Sequence, residues 1–399
     1  MLDKLKHLNL SNRLPVVIRD REWVNRWKSN LWRVTGSLLS VWGHTEKAVN
    51  LLSRAVEADK GNLELRLALS QLLIRSGRGP EAVSHLQQTM VSMGTNANLL
   101  YWLGEAYTLE GNQAATLEVL DRAASMSPTV PEVWKAKAKL YRQQEQFSQA
   151  LACLERATAG DPRDLNALNE KGLVLMDLGR TEDALMCFEG CLKLRWRFAP
   201  ALANKGICLG KLGRYFEATV ALKSALKFGP PEAAIYNNLG VALGHLGCHP
   251  EAVQAYEKAL ELAPGDWEVM SNLAAAHGKC GQFDAALNYF DQVLEQKNQD
   301  PLVLNNVGHC LEELNKRDRA LVCYRQALGL EPSNRTLVFN LGACLINMGE
   351  LDESLEFLNS HTQEDPEDRK AYGLMGEIYD RLQKFDLAID CYNKCLGLE

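Results

Sequence analysis

Nowhere in the 399 residues is there a run of about 18 apolar side chains, which excludes a membrane-spanning helix built from one continuous stretch. The N-terminal residues MLDKLKHLNLSNRLPVVIRD are interrupted by charge before a signal-peptide core can form, and a cytoplasmic location is the resulting expectation. A basic excess is also missing. The formal net charge is −6, too acidic for general neutralisation of phosphates, so nucleic acid is left out of the expected partners. Strand-type alternation is absent, as is a glycine-rich phosphate loop after a strand; Gly206 and Gly213 of GICLGKLG sit in a helical pattern. The eleven cysteines lack the setting of a disulfide scaffold, because they fall inside helical patterns of a long chain. They read as small buried hydrophobes kept reduced. Cys187 with Cys191 and Cys391 with Cys395 have i, i+4 spacing, but neither pair has the two further ligands a zinc site needs. No metal or other cofactor is expected. Most Ser and Cys side chains recur at packing positions, so catalysis by this chain is not expected either.

What the chain does have is the 46% hydrophobic and 24% charged composition of an ordered protein, arranged with a period of 34 residues. Gly240 has counterparts at Gly36, Gly104, Gly172, Gly206, Gly308, Gly342 and Gly376, with Ser70, Ala138 and Ala274 filling the remaining slots. Twelve residues after each comes a second small side chain, as at Ala150, Ala184, Ala218 and Ala252. Each unit divides into two helical patterns. From Ala233, the residues Tyr236, Leu239, Ala242 and Leu243 follow helical spacing; Gly247 breaks it, Ala252, Tyr256, Ala259 and Leu260 resume it, and Pro264 ends it. Prolines at Pro128, Pro162, Pro230, Pro332 and Pro366 stop the second helix in other units, lacking an N–H and clashing with the preceding turn.

These residues, with the bulky Trp134, Tyr141 and Ala150, Ala157, Pro162 of one unit, resemble the tetratricopeptide repeat family. Eleven units start at Ser29, Leu63, Ala97, Pro131, Leu165 and Ala199, then at Ala233, Trp267, Pro301, Arg335 and Arg369, and cover residues 29–399. The fold expected is all-α: a right-handed α-solenoid, or superhelix, of eleven 34-residue helix-turn-helix repeats. No single hairpin can bury its apolar face without a neighbour, so the units must stack. The resemblance implies that the first helix of each pair lines a concave groove, with the second, fifth, sixth, ninth, twelfth and thirteenth places of a unit looking inward.

At the sixth place stand Asn204, Asn238, Asn272, Asn306 and Asn340, in five consecutive units. An Asn carries both an acceptor and donors, so a row of them can clamp the backbone of an extended peptide, and the row resembles the asparagine ladder in the arm of O-linked N-acetylglucosamine transferases. The alternative is that each Asn bonds only to the neighbouring hairpin. Ile207 and Val241 at the ninth place form an apolar strip, and Lys211, His245 and Lys279 at the thirteenth form a basic one. A peptide with alternating apolar and acidic side chains would suit them. Trp102 and Phe339 are aromatic candidates for anchors on the same wall. A dicarboxylate clamp is not supported: Lys135 and Lys139 are followed by Glu170 where an Asn would be needed. His361 replaces the usual Ala at the twenty-seventh place and marks a loosened packing site rather than a ligand.

Residues 1–28 precede the array with seven basic and three acidic side chains, and Trp23 and Trp27 lie one turn apart. A cap over the first repeat is the plainer reading, and a basic amphipathic helix on a membrane surface the alternative. At the other end, Ile389, Tyr392 and Leu396 would be partly bare, which suggests self-association, stacking on a partner, or a chain continuing past Glu399. The expected function is a non-catalytic scaffold that captures protein or peptide segments in its groove. The alternatives are a substrate-docking arm of a larger enzyme such as a glycosyltransferase, and a self-assembling scaffold.

Overall fold

The computed structural model describes residues 31–35, 44–297 and 299–398. Residues 1–28, with the expected cap, lie outside them. The described residues hold helices and no strand, and the helices come in antiparallel pairs. Two compact units divide the chain, Met1–Leu194 and Arg195–Glu399, each an all-α helical-repeat solenoid.

First helices of the pairs begin at Leu63, Ala97, Pro131, Leu165 and Ala199, and later at Ala233, Trp267, Pro301, Arg335 and Arg369. Their starts are set by caps that hydrophobic periodicity does not show. Asn62, Asn96, Asp164, Asp266, Asp300 and Asn334 each stand one residue before the helix and accept a backbone N–H from its first turn. Such a cap is worth about 1 kcal/mol. Several second helices end just before a proline: His249–Leu262 stops ahead of Pro264 and Arg317–Leu330 ahead of Pro332. Between the two helices of a pair the backbone turns through the left-handed region. Gly179, Gly213, Gly247 and Gly281 supply it at φ between 74° and 75°, while Glu145, Asn315 and Gln383 adopt it at φ 58°, 57° and 59° despite their side chains.

The two helices of a pair approach through the recurrent small residue. A Cβ on Gly240 would lie 2.6 Å from the Tyr256 ring, and Gly308 and Gly376 stand in the same relation to Tyr324 and Tyr392. In the Met1–Leu194 unit the core runs through Leu65, Leu86, Leu99, Leu120 and Leu154, all nearly fully buried. In the other it runs through Leu209, Leu222, Leu273, Phe290 and Tyr324. Each such side chain contributes about 1.5–3 kcal/mol on burial. Tyr324 keeps its hydroxyl satisfied by donating to Glu312 Oε2 at 2.7 Å.

Candidate functional site

Five of the first helices in the Arg195–Glu399 unit carry the sixth-place asparagines, and all five side chains are half-buried. Their bonds differ. Asn272 Nδ2 donates to Asn237 Oδ1 at 3.1 Å, and Asn340 Nδ2 donates to Asn305 Oδ1 at 2.7 Å, each bridging to the preceding hairpin. Asn238 instead donates to Ala234 O of its own helix at 2.8 Å. The row is therefore two inter-hairpin bridges, with Asn238 and Asn306 next to bridge members on the same helices and Asn204 one hairpin earlier. Asn237 and Asn305 stand at the fifth place, outside the sixth-place row, and the doublets Asn237-Asn238 and Asn305-Asn306 mark them in the sequence. Whichever way the two amides are turned, one bond consumes one donor and one acceptor. Each bridge thus keeps at least one N–H and one carbonyl lone pair, the complement of a peptide group.

The helices Ala233–His245 and Trp267–Lys279, with His249–Leu262 behind them, enclose a cleft of about 280 Å³. Val241, His245, Asn272 and Lys279 line it together, over a floor that includes Tyr256 and Ala276. His245 is held by the Tyr215 ring, stacked at 4.1 Å with 5° between the planes. No carboxylate lines this cleft. Lys211 is exposed on Ala199–Lys211. Ile207 and Val241 are half-buried against the cluster of Leu239, Tyr256 and Ala259, so part of each surface is already spent on packing. Phe339 likewise packs against Val338 and Leu374, with Lys370 Nζ 5.9 Å from its ring centre. Trp102 belongs to the Met1–Leu194 unit, where it meets Tyr101 edge-on at 4.9 Å.

That first unit has a larger cleft of about 700 Å³, lined by Tyr101, Glu105, Lys135, Lys139, Arg142 and Glu170 among others. Its cations are mostly engaged. Lys135 Nζ lies 2.6 Å from Asp164, and Arg142 lies 2.7 Å from Asp177 and 3.6 Å from Glu170. Burial pushes Asp164 up, but the Lys135 ammonium and the N–H groups of Ala167 and Asn166 outweigh it and hold the carboxyl below its usual range. Burial pushes Glu105 up, with Lys139 pulling the other way, and it raises Tyr101 to about 12. A receptor for a ligand carboxylate needs free cations, and Lys135 and Arg142 are already paired.

His361 is not a loosened site. It is buried, and its Nε2 lies 3.0 Å from Asp368 Oδ2, while Asp368 Oδ1 accepts the N–H groups of Lys370 and Ala371. Asp365 lies near both but is held by Arg335 through bonds of 2.6 and 2.8 Å. The three form a structural network joining two hairpins. Cys187, Cys191 and Cys344 are packing groups: burial raises Cys187, lifts Cys191 to about 11 and lifts Cys344 to about 12, away from the thiolate a nucleophile requires.

With this geometry in view, residues 43–90, 135–188 and 231–299 match models of the tetratricopeptide repeat. Residues 270–396 match the cilia and flagella-associated protein 70 middle TPR-like domain. A curated relative, the BBSome complex member BBS4 of Bos taurus, is 26% identical over 139 residues, 35% of this chain and 27% of the relative. The chain thus aligns with about a quarter of that protein's length. Among solved structures, YrrB, described as a TPR protein with an unusual peptide-binding site, is 23% identical with a TM-score of 0.42, covering 46% of this chain and 94% of that one. The APC/C hetero-tetramer Cut9-Hcn1 is 14% identical with a TM-score of 0.47, covering 93% and 94%. Three separate segments matching one repeat, on helix pairs that recur every 34 residues, identify the chain as a tetratricopeptide repeat protein with the fold of a protein-interaction scaffold.

Proposed function

We propose that the Arg195–Glu399 unit captures an extended protein segment, without catalysis, along the face that carries the asparagines. The observation that supports this most is the cleft shared by Val241, His245, Asn272 and Lys279: cationic at its rim, apolar at its floor and free of carboxylates. Such a cleft suits an acidic side chain beside an apolar one. The Asn237–Asn272 and Asn305–Asn340 bridges offer a donor and an acceptor to backbone amides of the ligand, with Asn238 and Asn306 beside them and Asn204 one hairpin earlier. Ile207 extends the apolar side and Lys211 the basic one. Phe339 is an added apolar contact in this unit; Trp102 is an aromatic contact proposed for the Met1–Leu194 unit by itself. A groove already held by packing leaves most of the ordering cost to the ligand.

The test is selection of a random peptide-display library on the full chain, then titration of the selected peptides against His245→Ala/Lys279→Ala and Asn237→Ala/Asn272→Ala. A loss of at least tenfold, about 1.4 kcal/mol, with helicity retained supports the reading. Equal affinity for wild type and both variants refutes it.

A second reading has its own observation. Ile389 is 56% exposed and Leu396 65% exposed on Phe385–Leu396, whereas the equivalent Leu321 and Leu328 are half-buried. Self-association through this face predicts a mass that rises with concentration and falls after Leu396→Glu. A mass independent of concentration refutes it.

A further inference from the structure

The helix Tyr215–Phe228 carries Phe216, Val220, Lys223 and Lys227 at i, i+4, i+7 and i+11, which places them on one narrow face. All four are exposed, Phe216 by 71% and Val220 by 54%. The surface continues through a chain of ring contacts. Lys227 Nζ lies 5.6 Å from the centre of the Phe228 ring, Phe228 meets Trp196 edge-on at 5.4 Å, and the Arg197 guanidinium lies 4.1 Å from Trp196 and 5.2 Å from Phe228. Trp196 is 62% exposed. Arg195 and Arg197, exposed beside it, bring the cations to four with Lys223 and Lys227. The acid on this helix, Glu217, is taken by Arg214 through two bonds of 2.7 Å. Among the described residues, neither Lys223 nor Lys227 has an ion-pair partner.

The repeat itself does not call for this pattern. The same four places of the next hairpin hold Pro250, Gln254, Glu257 and Glu261, and those of the one after hold Asp284, Asn288, Asp291 and Glu295. In these two hairpins the places are exposed and mostly polar or acidic; the hairpin from Pro301 has an exposed Val322 where Val220 stands, but it carries neither a second large apolar residue nor a second cation with it. Here, large apolar side chains are left in water beside unpaired cations, on a molecule whose net charge is −6.

We propose that this patch docks an acidic amphipathic helix of a protein partner. Phe216, Val220 and Trp196 would take the partner's apolar stripe, and Lys223, Lys227, Arg195 and Arg197 the Asp or Glu side chains flanking it. Charge complementarity selects this occupant. The stripe runs for about 16 Å along a helix axis, roughly three turns, so a second helix can lie against it. An extended strand would find no unpaired backbone to bond, because the amides here are used within the helix. A phosphate backbone gains nothing from Val220, and Arg197 already lies against the Trp196 ring on which a base would stack. The molecule's negative net charge opposes anionic lipid and nucleic acid at long range, whereas a short acidic helix meets mainly the local field. The patch does not depend on the groove.

The experiment selects, on the full chain, from a display library of short helical peptides with Leu, Ile, Phe or Trp varied along one face and Asp or Glu on its flanks. A matched library carries Lys on the flanks. Acid-flanked peptides are expected to be enriched, to bind more weakly as salt is raised, and to lose at least about tenfold in affinity with Lys223→Glu/Lys227→Glu and with Trp196→Ala/Phe216→Ala. Circular dichroism confirms that both variants keep their helicity, and Lys279→Ala in the groove should leave this binding intact. Equal enrichment of the Lys-flanked library overturns the proposal, as does unchanged affinity in both patch variants. Saturable binding of an oligouridylate RNA or of phosphatidylserine vesicles, abolished by the same variants while acid-flanked peptides fail to bind, also overturns it and assigns the patch to that ligand instead.

Discussion

Replacing Gly240 by Ala should loosen its hairpin, while the same change at Gly244, one turn later on the same helix, should tighten it. A Cβ at Gly240 would sit 2.6, 2.7 and 2.7 Å from Cε1, Cδ1 and Cζ of Tyr256. Ordinary carbon contacts lie at about 3.5–4.0 Å, so the ring must give way by about 1 Å. Tyr256 is buried in the cluster of Leu239, Ala255 and Ala259, which leaves little room for it to move. Overpacking of this kind costs about 1–3 kcal/mol, and the higher helix propensity of Ala returns about 1 kcal/mol. The net loss for Gly240→Ala is therefore about 0–2 kcal/mol. At Gly244 nothing lies within 4 Å of the added carbon, so only the propensity gain of about 1 kcal/mol remains. The two variants should differ by about 1–3 kcal/mol. Since stacked repeats need not unfold in one step, the suitable readout is amide hydrogen exchange across residues 233–262 rather than a single melting curve. Protection in Gly240→Ala equal to or above that in Gly244→Ala would refute close approach as the reason for the recurrent glycine.

Gln383 holds φ 59° in the turn where most other pairs have Gly, so Gln383→Gly should stabilise the last hairpin by about 1 kcal/mol, read as added amide hydrogen-exchange protection across residues 369–396. Asn315→Gly should gain less, because Asn tolerates that region better. Burial raises the Glu105 carboxyl above 4.5, so its contribution to stability is fully present below that value and is lost as pH rises through the higher folded-state value. Glu105→Gln should then be the more stable form at neutral pH, with the advantage vanishing below pH 4.5 in urea titrations at several pH values. Asp368→Ala should cost more than Asp300→Ala in urea midpoint. Both remove a cap worth about 1 kcal/mol, but only the first strands a buried partner, His361, at about 1–3 kcal/mol more.

Much of the architecture is legible before any coordinate is known. A hairpin's ends and its turn are local matters: Pro264 cannot continue a helix, Gly247 supplies the left-handed turn, and Gly240 and Tyr256 stand sixteen residues apart because two antiparallel helices meet there. Such constraints repeat every 34 residues and so declare themselves as a period. The capping Asp and Asn residues were equally local but are hidden from an argument that reads only apolar spacing.

The site was legible as positions and not as bonds. The sequence named Asn272, but its donation to Asn237, thirty-five residues back, depends on which rotamer two neighbouring hairpins allow. His361 looked out of place until Asp368 stood beside it. Lys135 and Lys279 are the same residue type on equivalent helices, yet one is neutralised by Asp164 and the other lines a cleft without carboxylates. Periodicity determined by itself that helices pair and stack, because backbone geometry and the burial of alternate faces leave that chain no other economical form. Which polar groups are spent inside the stack and which remain for a ligand was decided only by the tertiary structure, where side chains from successive hairpins compete for the same partners.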